Sequence, residues 1–84
     1  MIYTVVWMPD ALDDLADIWN NATDRAAVSA ASNTIDARLR RDPYGHSESR
    51  TDHSRIMIVP PLAVTYDVSD DDCLVTVWGV WRSQ

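Results

Sequence analysis

Residues 45–56 read GHSESRTDHSRI and hold Arg50, Arg55 and both histidines of the chain, His46 and His53, directly before the apolar run 56–59. An arginine offers a planar fork of donors to phosphate or carboxylate oxygens, and an imidazole that titrates near neutrality can deliver or accept a proton. The loop is therefore a candidate rim for a site that holds an anion and moves a proton. The plainer reading is a solvated connector, because Gly, Ser, Thr and Asp are ordinary loop residues and Glu48 can form a local ion pair with Arg50. A metal is not expected there. Two histidines have no matched third ligand, and Cys73 is the only cysteine, which excludes a thiolate-rich site and an internal disulfide. Asp70, Asp71 and Asp72 lack the spacing and glycine of a calcium loop and read as a polar turn. Cys73, beside them, reads as a small buried hydrophobe. No cofactor is implied.

The surroundings of that loop are acidic. The 84 residues carry a net charge of −6 with seven arginines and no lysine. Residues 1–23 sum to −4, residues 24–55 to +1 and residues 56–84 to −3, so the arginines concentrate mid-chain and Arg82 stands apart. This balance argues against a protein that coats nucleic acid or acidic lipid by bulk attraction, though it permits a local basic site. A 46% hydrophobic content with four tryptophans indicates a folded domain, and the length allows one, spanning 1–84. No stretch approaches the roughly 20 apolar residues of a membrane helix, and the start has no basic region before its apolar run. A soluble cytoplasmic protein is the expectation.

Positioning of the candidate residues falls to six elements. Residues 2–7, IYTVVW, are β-branched and aromatic and predict a strand. Leu12, Leu15, Ala16 and Trp19 recur at helical spacing over 10–20, with acidic residues at the positive end of the dipole. Val28, Ala31, Ile35 and Leu39 stripe a second helix over 24–41, which ends in Arg38, Arg40 and Arg41 before Pro43. A short link makes the two helices an antiparallel hairpin. Strands follow at 55–59, 62–68 and 73–82, with Pro60 and Pro61 in the first turn. The order β-α-α-β-β-β predicts an α+β fold, with a helical hairpin packed on one face of a mostly antiparallel four-stranded sheet.

Alternation along the strands sorts their side chains between faces. Leu62, Val64, Tyr66 and Val68 are expected inward, as are Ile56 and Ile58, and Val75, Val77 and Trp81 share a side. The open face is then expected to present Arg55, Met57, Thr65, Trp78 and Arg82, unless Gly79 forms a bulge that reverses the end of the last strand. Tryptophan with arginine on an open face is typical of an interaction surface. Trp7 and Trp19 read as core residues joining the first strand to the hairpin.

The stretches VVWMPDALDDLADIW at 5–19, IDARLRRDP at 35–43 and PLAVTYDVSDDDCLVTVWGVWR at 61–82, in this order and spacing, resemble the RelE/ParE superfamily of type II toxins, the plasmid-stabilisation proteins. The likeness runs over nearly the whole chain. It implies a toxin component of a toxin–antitoxin system, neutralised by a cognate antitoxin and inhibiting growth either through translation, by cutting mRNA on the ribosome, or through DNA gyrase. The family's nucleases use basic residues of the open sheet face to stabilise charge while a 2′-hydroxyl attacks, without a metal. Arg82 and Arg55 match two of those positions approximately, and Arg50 with His53 or His46 completes a catalytic set. The usual arginine three residues before Tyr66 is replaced by Ala63, and the C-terminal aromatic residue has no counterpart. Losing one such donor typically costs about 10²–10³ in rate. The departure supports a weak ribonuclease or, alternatively, a catalytically degenerate member that acts only as a protein-binding module. Arg38, Arg41, Trp78 and Met57 are the candidate partner contacts, and the open face with Trp78 leaves room for a homodimer.

Overall fold

Pro9 starts the first helix at the position where a missing N–H is harmless, and it thereby ends the first strand. In the computed structural model, which describes residues 2–45, 47–49 and 54–84, β1 (Thr4–Trp7) leads through Met8 into α1 (Pro9–Asn21). Then follow α2 (Arg25–Arg41), β2 (Ser47–Ser49), β3 (Ser54–Val59), β4 (Leu62–Ser69) and β5 (Leu74–Arg82). The five strands form one sheet in the order β1-β5-β4-β3-β2. Only the β1–β5 pair is parallel. The α+β arrangement and the helical hairpin are as expected. The additional strand is β2, whose residues Ser47, Glu48 and Ser49 carry no β-forming pattern and pair with Met57, Ile56 and Arg55.

One face of the sheet is covered by the hairpin, with α1 over β5 and α2 over β3, β1 and β4. The core there comprises Val5, Val28, Ala31, Ile35, Leu39, Met57, Leu62, Val64, Tyr66, Val75, Val77 and Val80, together with Tyr3 and Ala11. Trp7 packs against this core and donates from Nε1 to Asp36 Oδ1 at 3.1 Å. Trp19 is not a core residue. It is exposed on α1, donating to Ser29 Oγ at 3.1 Å with the Arg25 guanidinium 4.7 Å from its ring. Cys73 is half-buried, with a left-handed φ of 50° at the turn into β5.

Two register features reverse part of the expected face assignment. Across the Pro60–Pro61 turn, Val59 pairs with Leu62, Met57 with Val64 and Arg55 with Tyr66. Cross-strand partners share a face. Met57 and Arg55 therefore lie on the covered side, and Ile56 and Ile58 on the open side. The second feature is a bulge opposite Thr65 and Tyr66: Tyr66 pairs with Val77 but Thr65 with Gly79, which leaves Trp78 as the extra residue. Beyond it Val80 turns inward, Trp81 outward, and Arg82 pairs with Leu62 on the covered side.

Candidate functional site

The open face consequently consists of rows that cross the strands. Ile58, Ala63 and Trp81 form one row, and Ile56, Thr65 and Gly79 the next. Ile58 is 54% exposed, Trp78 48% and Trp81 41%. Ala63 in the middle is fully covered by its neighbours, and a Cβ on Gly79 would come within 3.3 Å of the Thr65 methyl, so the centre of the face is shallow and tightly filled. A third row holds Ser54, Asp67 and Thr76. The Trp78 Nε1–H donates to Asp67 Oδ2 at 2.9 Å and the Ser54 hydroxyl to Oδ1 at 2.9 Å. The shared carboxylate anchors the exposed indole to β4. Among the described residues this face carries no arginine; its ionisable groups include Asp67, with Asp70 and Asp71 lining the groove beside it, and, opposite Ile56 on β2, Glu48.

Arg55 sits at the margin of the covered face, among tyrosines. Its Nε donates to Ser47 Oγ at 2.9 Å, and its guanidinium lies 5.1 Å from the Tyr44 ring centroid. The segment that brings Tyr44 and Ser47 there follows from the end of α2. Asp42 Oδ1 accepts the backbone N–H groups of Tyr44 at 3.3 Å and Gly45 at 3.1 Å, closing a tight turn. A Cβ at Gly45 would lie 2.5 Å from Asp42 Oδ2, so any other residue there would require the Asp42 carboxylate to shift. The Tyr66 hydroxyl donates to the Pro43 carbonyl, and the hydroxyls of Tyr3 and Tyr44 both donate to the Asp70 carboxylate at 2.8 Å. The Tyr3 phenol is pushed up to about 12, chiefly by its hydrogen bond to Asp70. Burial first, and then Asp70, raises Tyr44. Burial raises Tyr66, with Ser47 and Arg55 opposing. At neutral pH all three are neutral donors, so none supplies a general base.

Arg82 sits at the opposite end. Its Nη1 and Nη2 donate to Asp24 Oδ1 and Oδ2 at 3.1 and 2.9 Å, and its Nε donates to the Gln84 carbonyl at 2.9 Å. Asp24 is the residue that precedes α2, and it makes no side-chain cap bond. Its carboxylate is turned instead to Arg82, whose hydrogen bonds hold it below its ordinary range. The β4 partners of Arg55 and Arg82, Tyr66 and Leu62, are four residues apart on one strand, on the order of 13 Å. Each guanidinium is engaged by its own local partners, Arg55 by Ser47 and Tyr44, Arg82 by Asp24 and the Gln84 carbonyl.

The remaining expectations resolve individually. Met57 is fully buried in the core and offers no surface to a partner, because the pairing across the Pro60–Pro61 turn places it inward. Trp78 is exposed on the open face as expected. Arg38 and Arg41 line a groove of about 350 Å³ with Ala37 and Asp42 at the end of α2, on the hairpin rather than the open face. Arg50, His46 and His53 lie outside the described residues, as does the expected Glu48–Arg50 pairing. Among the described residues no three potential metal ligands cluster, and no helix is long and apolar enough to cross a membrane. Ile58 and Trp81 were not expected on the open face; the signals for them were the two-residue turn and Gly79.

No protein-family model matches the sequence, and no curated protein matches it. Solved structures do. A chain of the RelBE2 toxin–antitoxin complex of Mycobacterium tuberculosis superposes with a TM-score of 0.80 at 18% identity, covering 98% of this chain and 99% of that one. The chromosomal ParDE system of P. aeruginosa gives 0.76 at 14% identity, with 99% and 98% covered. The archaeal RelE–RelB complex of Pyrococcus horikoshii gives 0.71 at 14%, with 98% and 96% covered. What is common at such identity is the fold, over the full length of the chain on both sides. The chain has the RelE/ParE toxin fold.

Proposed function

We propose that this chain is the toxin component of a type II toxin–antitoxin pair, neutralised by a cognate antitoxin, and that it acts by binding a protein target through its open sheet face rather than by cutting RNA. The observation that carries the reading is the composition of that face. Ile56, Ile58, Trp78 and Trp81 surround the small centre formed by Ala63 and Gly79, and none of the described arginines lies on it. An exposed apolar patch with two tryptophans suits a protein interface, where aromatic anchors dominate the energy. Phosphodiester cleavage without a metal needs preorganised cations facing the scissile group, and Arg55 and Arg82 are held apart by Ser47, Tyr44 and Asp24. Of the two targets that the resemblance implies, DNA gyrase fits this face better than ribosome-bound mRNA.

The test is induced expression in a bacterial host, with and without the neighbouring gene, while growth, labelled amino-acid incorporation and the DNA-damage response are followed. Arrest that the neighbour relieves, with the damage response rising before protein synthesis falls, is expected. Immediate collapse of protein synthesis with cleaved mRNA contradicts the binding reading. Good expression without arrest leaves the alternative of a degenerate member that binds only its antitoxin.

A further inference from the structure

Toward the β4–β5 turn the apolar surface of the open face gives way to an acidic groove. Asp67 pairs with Thr76 and Ser69 with Leu74, so these four share the face with Thr65. With Asp70 and Asp71 of the turn they line a groove of about 550 Å³. Among the described residues its lining carries three carboxylates and no cation. Asp67 accepts from the Trp78 indole and the Ser54 hydroxyl, and Asp70 from the Tyr3 and Tyr44 phenols. These donors are neutral, so they hold the carboxylates in place without cancelling their charge. Asp24 and Asp36, by contrast, meet Arg82 and Arg40. Arg55 approaches this network from the covered side, across the Tyr44 ring.

Trp78 joins this groove to the apolar patch. Its indole is exposed while bonded to Asp67, and Ile58 and Trp81 lie beyond it. An indole beside a carboxylate suits a guanidinium or ammonium, which meets the charge of the one and the π face of the other. The row of Ile58, Ala63 and Trp81 lies four residues of β4 from the row of Asp67, on the order of 13 Å. The face is therefore complementary to a surface that is apolar at one end and cationic at the other. A protein offers that combination. A nucleic acid would bring its phosphates against the carboxylates, and a second copy of this chain brings no described arginine on this face.

We propose that the open face receives a basic protein surface: an apolar side chain seats against Ile58 and Trp81, and Lys or Arg side chains enter the groove of Asp67, Asp70 and Asp71 beside Trp78. This names the chemistry of the target, and it rests on the reading that the open face binds a protein.

Titration of the isotope-labelled full chain, followed by NMR, tests this. The probes are a synthetic peptide with a pair of leucines and, four residues on, a pair of arginines; its counterpart with glutamate in place of arginine; and a single-stranded RNA oligonucleotide. The arginine peptide is expected to shift the Trp78 and Trp81 indoles and the amides of Asp67, Asp71 and Thr76 saturably, and to bind about tenfold or more tightly than the glutamate peptide. Asp71→Lys, at an exposed turn residue, should weaken it by about tenfold. Binding no tighter than that of the glutamate peptide, shifts centred elsewhere, or undiminished binding to Asp71→Lys overturns the proposal. So does RNA that shifts the same residues, or self-association that shifts them as the chain is concentrated. Induced expression then separates this proposal from the reading beneath it. Arrest that Asp71→Lys weakens supports the proposal. Arrest that Asp71→Lys keeps in full overturns it and leaves the toxin reading standing. If the wild type causes no arrest, the toxin reading falls and the titration alone decides the face.

Discussion

The two faces of the sheet are built from the same five strands and carry opposite chemistry. The covered face holds the aliphatic core and has its charges at the two ends, Arg55 among tyrosines and Arg82 on Asp24. The open face exposes its apolar side chains around a small covered centre and has, among the described residues, only carboxylates for charge. One bulged residue in β5 accounts for much of the contrast. Without it, Val80 and Arg82 would share the open face with Trp78, and Trp81 would face the helices. The comparison teaches that the chemistry of a sheet face is a matter of strand phase: a single inserted residue exchanges a cation for an indole.

The contrast can be broken most forcefully in β3. Met57→Ala, on the covered face, should lower stability by about 2–5 kcal/mol, as truncation of a fully buried side chain does. Ile58→Ala, one residue on and facing out, should cost about 0.5 kcal/mol or less. Equal losses in urea unfolding would mean that the two faces are not distinguished as described.

A smaller effect is expected where the covered face meets the turn after α2. Tyr66→Phe removes the donor to the Pro43 carbonyl, which keeps only a long contact from Ser47 at 3.4 Å. The expected loss is about 1–2 kcal/mol, read from the same unfolding curves. No loss would show that the hydroxyl is not needed to hold the turn.

The smallest effect sharpens the other end. The Asp24 carboxyl is lowered by Arg82, so its contribution to stability is present above the ordinary aspartate range and is lost as pH falls through the lower value in the folded protein. Both groups are exposed and the pair is screened, so the effect is slight. Wild type and Asp24→Asn should differ at neutral pH and converge on acidification. A difference that grows with acid would contradict this pairing.

How much of this was legible in the sequence can be traced residue by residue. The helices were legible because their apolar stripes keep one period, and β4 because its apolar residues alternate with Ala63, Thr65 and Asp67. β3 was not, because residues 56–59 are apolar in every position and define no phase. The connection did carry the information: with only Pro60 and Pro61 between the strands, Val59 must oppose Leu62, which puts Met57 with Val64. β2 has no β-forming residue and is specified by its partner Met57–Arg55 edge alone. Gly79 marked the bulge as a choice without deciding it; the pairing of Thr65 with Gly79 decides it. The pairing of Arg82 with Asp24 joins residues 58 apart in the sequence and has no local signature.

The central claim is that the open apolar face, and not the two arginines, carries the activity. The most direct test compares growth arrest on induction of two double variants, each confirmed folded and equally expressed. Arg55→Ala with Arg82→Ala should retain arrest, and Trp78→Ala with Trp81→Ala should abolish it. Arrest lost in the arginine variant and kept in the tryptophan variant would contradict the account and return the site to the margins of the covered face.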